Sequence, residues 1–154
     1  MKLRIAFAIA CLAFPAYAAE TKPLTILDCQ DILGGLRALD GHTELSKDNT
    51  PVTVSYQFGS ARFRLALQQN IAALNAVQQD FTKTMQAIFK EIAGEAAEIK
   101  PGTPEMGRYT RQMNEAQMFP CSANLTRIRA DDLKLDKNEI PGSVLGALDK
   151  ILDR

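Results

Sequence analysis

The chain has 154 residues, with 18 basic and 18 acidic side chains, one histidine and three cysteines. A formal net charge of zero gives no general drive toward nucleic acid or an anionic membrane surface. A single histidine also excludes a helix-borne HExxH metal site.

The N-terminus reads as an export signal. Lys2 and Arg4 precede an apolar run from Ile5 to Phe14, Pro15 breaks it, and Ala16-Tyr17-Ala18 follows. A positive start, a short apolar core and a small-x-small exit make a secretory signal peptide, residues 1–18, with cleavage expected after Ala18 and Ala19 as the less favoured site. The apolar run is about half the ~20 residues that a membrane span needs. Cys11 lacks the large aliphatic residue three positions before it that a lipoprotein site uses, so lipidation is not expected. Removing Lys2 and Arg4 from the 18 basic residues leaves 16 against 18 acidic ones. The remaining residues, 19–154, suffice for one small exported domain, periplasmic or secreted. No later stretch is apolar for long enough to span a membrane.

Cleavage also removes Cys11 and leaves Cys29 and Cys121. An even pair in an oxidising compartment predicts one disulfide. It would close a loop of about 90 residues, for which chain entropy gives an upper figure of roughly 4–5 kcal/mol.

The first predicted helix covers 26–39. Thr25 is its N-cap, Asp28 falls near its positive end, and Ile26, Cys29, Ile32, Leu33, Leu36 and Leu39 recur at threes and fours. Asp40-Gly41 ends it. Gly34-Gly35 sits inside and costs roughly 1 kcal/mol per glycine, so either the helix bends there or another element packs on its backbone. Residues 42–51 are polar and turn-like.

Val52, Val54, Tyr56 and Phe58 then alternate with Thr53, Ser55 and Gln57, which predicts a half-buried strand over 52–58. After Gly59 and the candidate cap Ser60, a long helix is predicted over 61–93. Leu67, Ile71, Leu74, Phe81, Met85, Ile88 and Ile92 form its ladder. At 1.5 Å per residue it is about 50 Å long, so it must run along the whole molecule, bend or project. Its polar face is rich in uncharged residues, Gln68, Gln69, Asn70, Asn75, Gln78, Gln79 and Gln86.

Thr103-Pro104 reads as an N-cap followed by proline at the first helical position, and Met106, Tyr109, Met113 and Met118 line that helix. Phe119-Pro120 stops it. Residues 124–129 are a second strand candidate, expected to pair with 52–58. A charged, turn-like stretch over 131–139 follows, and Pro141 opens a terminal helix with Val144, Leu145, Leu148, Ile151 and Leu152 apolar. The predicted class is helix-dominated α+β, with four helices and a two-stranded sheet.

Active-site signals are sparse. An unbroken first helix carries Leu39 about 15 Å from Cys29, and His42 lies just beyond, out of reach as its base. Asp40, His42, Glu44 and Asp48 offer ligand types in one loop but lack a second histidine, and 132–140 lacks the glycine of a calcium loop. No metal and no cofactor is expected. GxSxG, GxxxxGK[ST] and GxGxxG are absent. Arg62 and Arg64 open the long helix, and Arg127 and Arg129 share one face of the second strand candidate, so the four could form an anion patch.

The favoured expectation is an exported, non-enzymatic interaction protein. Its helical surface, carried by Leu67, Ile71, Leu74, Phe81, Met85 and Ile88, would bind another envelope or secreted protein or a second copy of itself. The alternative is a small-ligand or anion-binding protein, or a hydrolase, with a site near His42, Tyr56, Gln57 and the four arginines.

Overall fold

The computed structural model describes residues 23–96 and 98–153, apart from the side chains of His42 and Glu44. The expected signal peptide, with Cys11, lies outside these residues. Among the described residues the fold is helix-dominated α+β with four helices, as the periodicities predict.

Helix α1 spans Ile26–Asp40. Thr25 Oγ1 accepts from the Asp28 amide at 3.1 Å, and Asp28 Oδ2 accepts from the Thr25 amide at 2.8 Å. Two of the orphan donors at the helix start are thereby satisfied. Cys29, Ile32, Leu33, Leu36 and Leu39 are all buried. Burying each large aliphatic stabilises by about 1.5–3 kcal/mol, which outweighs about 1 kcal/mol for each of the two glycines.

Gly34 and Gly35 have different surroundings. Helix α4, Gly142–Leu148, packs so closely on Gly35 that an added Cβ would sit 3.3 Å from atoms of Ala147 and Leu148. Gly34 faces open space. The close approach of a second helix thus accounts for one glycine of the pair, within a continuous helix.

The long helix α2 spans Ala61–Ala93. Ser60 Oγ accepts from the Phe63 amide at 3.0 Å, and Gly94, at φ 60°, takes over at the far end. Phe63, Leu67 and Leu74 enter the core with the α1 stripe, Ile128, Leu133, Leu148 and Ile151. The two helices run antiparallel. Asp40 accepts from Gln68 at 2.7 Å, Arg37 donates to Asn75 at 2.6 Å, and Gln30 donates to Gln78 at 3.0 Å. Past Val77 the apolar residues of α2 leave the core cluster and meet α3, Pro104–Gln117. Thr103 Oγ1 caps α3 by accepting from the Met106 amide at 3.3 Å.

The expected sheet forms differently. Strand β1, His42–Leu45, pairs antiparallel with β2, Pro51–Val54, in a hairpin closed by a turn with Asn49 at φ 57°. The stretch 42–51, read from its polarity as loop, therefore supplies a strand. Residues 52–58 do not pair with 124–129. Instead β3, Ile128–Arg129, pairs in parallel with β4, Leu152–Asp153, so the terminal helix stops before Ile151.

Two buried asparagines explain the change. Asn70 bonds both the N–H and the C=O of Thr126, and Asn138 does the same for Gln57. Each segment thus has backbone partners other than the opposite segment. The assignment of Asn70 to the solvent face of α2 is corrected as well, since it is only 1% exposed.

Candidate interaction surface

The second half of α2 and the whole of α3 form a two-helix arm. Its root is tied to α1 by backbone bonds, from the Ile26 amide to Phe119 O at 3.0 Å and from the Cys121 amide to Leu24 O at 2.6 Å. The ring of Phe89 meets Tyr109 edge-on, with centroids 6.0 Å apart. Met85 and Ile92 are buried between the helices, but α3 contributes no buried residue. Two packed helices close only one seam, so apolar flanks remain on either side.

Each flank is a groove. One, of about 780 Å³, runs along Phe81, Met85, Phe89, Tyr109 and Met113. The other, of about 740 Å³, runs from Ile26 and Phe119 at the root along Val77, Phe81 and Ile88. Asp80, Glu91 and Glu115 also line this second groove, and among the described residues no lysine or arginine does. Asp80 pairs with Lys83 at 3.2 Å. Gln112 also lines this groove, and its Oε1 is screened from solvent without a hydrogen-bond partner. Phe119, 69% exposed, and Met118 stand at the root.

The six residues expected as a surface therefore divide. Leu67 and Leu74 are in the core and Ile71 packs against it, because α1 covers that half of α2. Phe81, Met85 and Ile88 lie in the arm, where α1 no longer reaches. Sequence periodicity alone made one continuous stripe of all six. It missed Phe89, Phe119 and Gln112. Phe89 follows Met85 by four residues and was visible as part of the same face.

The arginines are partly assembled. Arg62, Arg127 and Arg129 line one small pocket of about 210 Å³ together with Asp132 and Asp153, and Arg64 does not line it. Arg127 and Arg129 flank the buried Ile128, which puts both on one side of β3. Arg129 pairs with Asp131 at 3.5 Å, and Arg127 donates to Lys150 O at 3.0 Å. Carboxylates inside and beside the pocket offset the positive charge an anion would need.

Cys29 and Cys121 come together, but as free thiols. The expected disulfide is therefore not made in this structure; closing it requires an oxidant and a closer approach of the sulfurs. Burial first, and then the Cys121 thiol beside it, push the Cys29 thiol up to about 12. Cys121 is partly exposed, and its Sγ accepts from the Ala123 amide at 3.5 Å.

His42 starts β1 at the opposite end of α1 from Cys29. Tyr56 packs against the core beside Phe58, with ring centroids 6.1 Å apart, and the Gln57 backbone is held by Asn138. No group of three His, Cys, Asp or Glu side chains among the described residues could hold a metal.

Next to the thiols, Lys150 hydrogen-bonds and ion-pairs with Asp28. Burial opposes the Asp28 charge, but the bonds from Lys150 and Thr25 outweigh it and hold the carboxyl below its ordinary value of 3.8. No helix among the described residues is long and apolar enough to cross a membrane.

No family model matches the chain, and neither a curated protein nor a solved structure matches it.

Proposed function

We propose that this is an exported interaction protein that binds another envelope or secreted protein through its α2–α3 arm. One observation carries the reading. A helix pair projecting past the core keeps apolar grooves along both flanks while burying no residue of α3. Contiguous apolar surface of that kind marks interaction sites on soluble proteins. Export, by the N-terminal leader, and oxidation of Cys29 with Cys121 belong to the same proposal.

The alternative of a small-ligand, anion or hydrolytic site gains less support. Asp132 and Asp153 share the arginines' pocket, and Arg64 does not line it.

A photo-crosslinker placed at Thr84 or Gln86, both exposed along the grooves, tests the proposal in cells. The expected result is a discrete adduct from these positions and none from Ser143, exposed on α4. Equal labelling from all three positions, or none from the arm, would overturn it.

A further inference from the structure

We infer that the groove running from Ile26 and Phe119 to Glu91 accepts an amphipathic helix with basic flanks, supplied by a different protein. The inference rests on the interaction reading above and names the kind of partner. Three observations combine.

The first is shape and length. From Val77 to Glu91 the floor follows α2 for about 21 Å at 1.5 Å per residue, which matches a helix of about 14 residues. Two helices already form one wall each, so an incoming third helix completes a bundle and buries Phe81, Ile88 and Phe119.

The second is charge. Asp80, Glu91 and Glu115 line the groove, Lys83 offsets Asp80 alone, and no basic side chain among the described residues lines it. A partner with lysine or arginine beside its apolar stripe is favoured by complementarity. A second copy docked groove to groove about a two-fold axis would bring two acidic surfaces together with no basic side chain from either groove to offset them, which disfavours self-association here.

The third is the Gln112 Oε1 acceptor, enclosed and unpartnered. Such a group costs about 1–3 kcal/mol while unpartnered, and turning the Gln112 side chain toward a donor on an incoming helix would relieve that cost. The opposite groove contains Lys90 and no carboxylate, so it lacks this signature.

The test compares two synthetic helical peptides of about 14 residues with one apolar face. One carries lysines on its polar side and the other glutamates. Fluorescence anisotropy with the purified protein should show the leucine–lysine peptide binding at least about tenfold tighter than the leucine–glutamate peptide. The double reversal Glu91→Lys with Glu115→Lys should weaken the first peptide at least about threefold, and added salt should narrow the preference. Thr84→Arg, at an exposed groove position, should block it without disturbing the packed seam.

Circular dichroism confirms that the variants fold. Equal affinity for the two peptides, or indifference to the charge reversal, would overturn the inference. So would light scattering showing a dimer that Thr84→Arg dissolves, because the occupant would then be a second copy. Crosslinks from the arm to a partner without any lysine preference would remove this inference and leave the interaction reading standing. Loss of arm crosslinks would remove the interaction reading itself.

Discussion

Asn70 grips the backbone of Thr126 from both sides, its Nδ2 donating to the carbonyl at 2.9 Å and its Oδ1 accepting from the amide at 2.8 Å. A side-chain amide thus does for this segment what a neighbouring strand does in a sheet. Asn70→Leu is expected to destabilise the protein by about 1–3 kcal/mol, because the Thr126 groups lose partners in a partly buried place. Asn70→Asp should be at least as harmful, since it removes the donor and sets a carboxylate against the Thr126 carbonyl. Urea unfolding monitored by circular dichroism measures both. An Asn70→Leu variant as stable as the parent would show that the pairing contributes nothing.

The same contact explains which parts of the fold were legible. Helix ends were, because Thr25, Ser60, Thr103 and Gly94 each satisfy or release backbone groups locally. The strand pairings were not: β2 pairs with the adjacent stretch 42–45, whose polarity reads as loop, and β3 pairs with Leu152–Asp153, whose apolar residues read as helix. Residues 52–58 do present Val54, Tyr56 and Phe58 inward, so their alternation was real. What it could not reveal was that Asn138 would take the Gln57 backbone. Asn70, spaced three after Leu67 and four before Leu74, sat on the apolar stripe and was the available clue. The candidate surface was half legible. Periodicity found the stripe on α2, but only the placement of α1 decides which half of it is covered.

The glycine pair in α1 separates two effects. Gly34 meets open space, so Gly34→Ala gains helix propensity at no steric cost and should stabilise by about 0.5–1 kcal/mol. Gly35 touches Ala147 and Leu148, so Gly35→Leu forces α4 away and should cost about 1–3 kcal/mol. Thermal melts of the two variants should move in opposite directions. If both move the same way, the close packing of α4 on Gly35 is wrong.

Asp28 links the start of α1 to Lys150 near the C-terminus. Its carboxyl is held below 3.8 in the folded protein, so the unfolded chain takes up the proton first on acidification. The stability that Asp28 contributes is therefore present above about pH 4 and lost as pH falls through the depressed folded value. Asp28→Ala should cost about 1 kcal/mol at neutral pH, from the lost cap. The variant should also lose part of the parent's stability decline below pH 4. Unfolding free energies measured across that range check the sign, and unchanged acid sensitivity in Asp28→Ala would count against the assignment.

The thiols give the opposite dependence. Cys29 is raised from 9.0 to about 12 by burial and by Cys121, so the folded protein keeps the proton that the unfolded chain gives up. In the reduced protein this contribution is fully present below pH 9 and disappears as pH rises toward 12. A disulfide between Cys29 and Cys121 abolishes the titration and constrains the unfolded chain, by up to roughly 4–5 kcal/mol. Oxidised protein should therefore be more stable than reduced protein at neutral pH, with a difference that grows above pH 9. Non-reducing peptide mapping of protein recovered from cells without reductant should show the Cys29–Cys121 linkage. Recovery of both thiols free, with no gain in stability on oxidation in vitro, would leave the pair as buried reduced neighbours and remove the staple from the proposal.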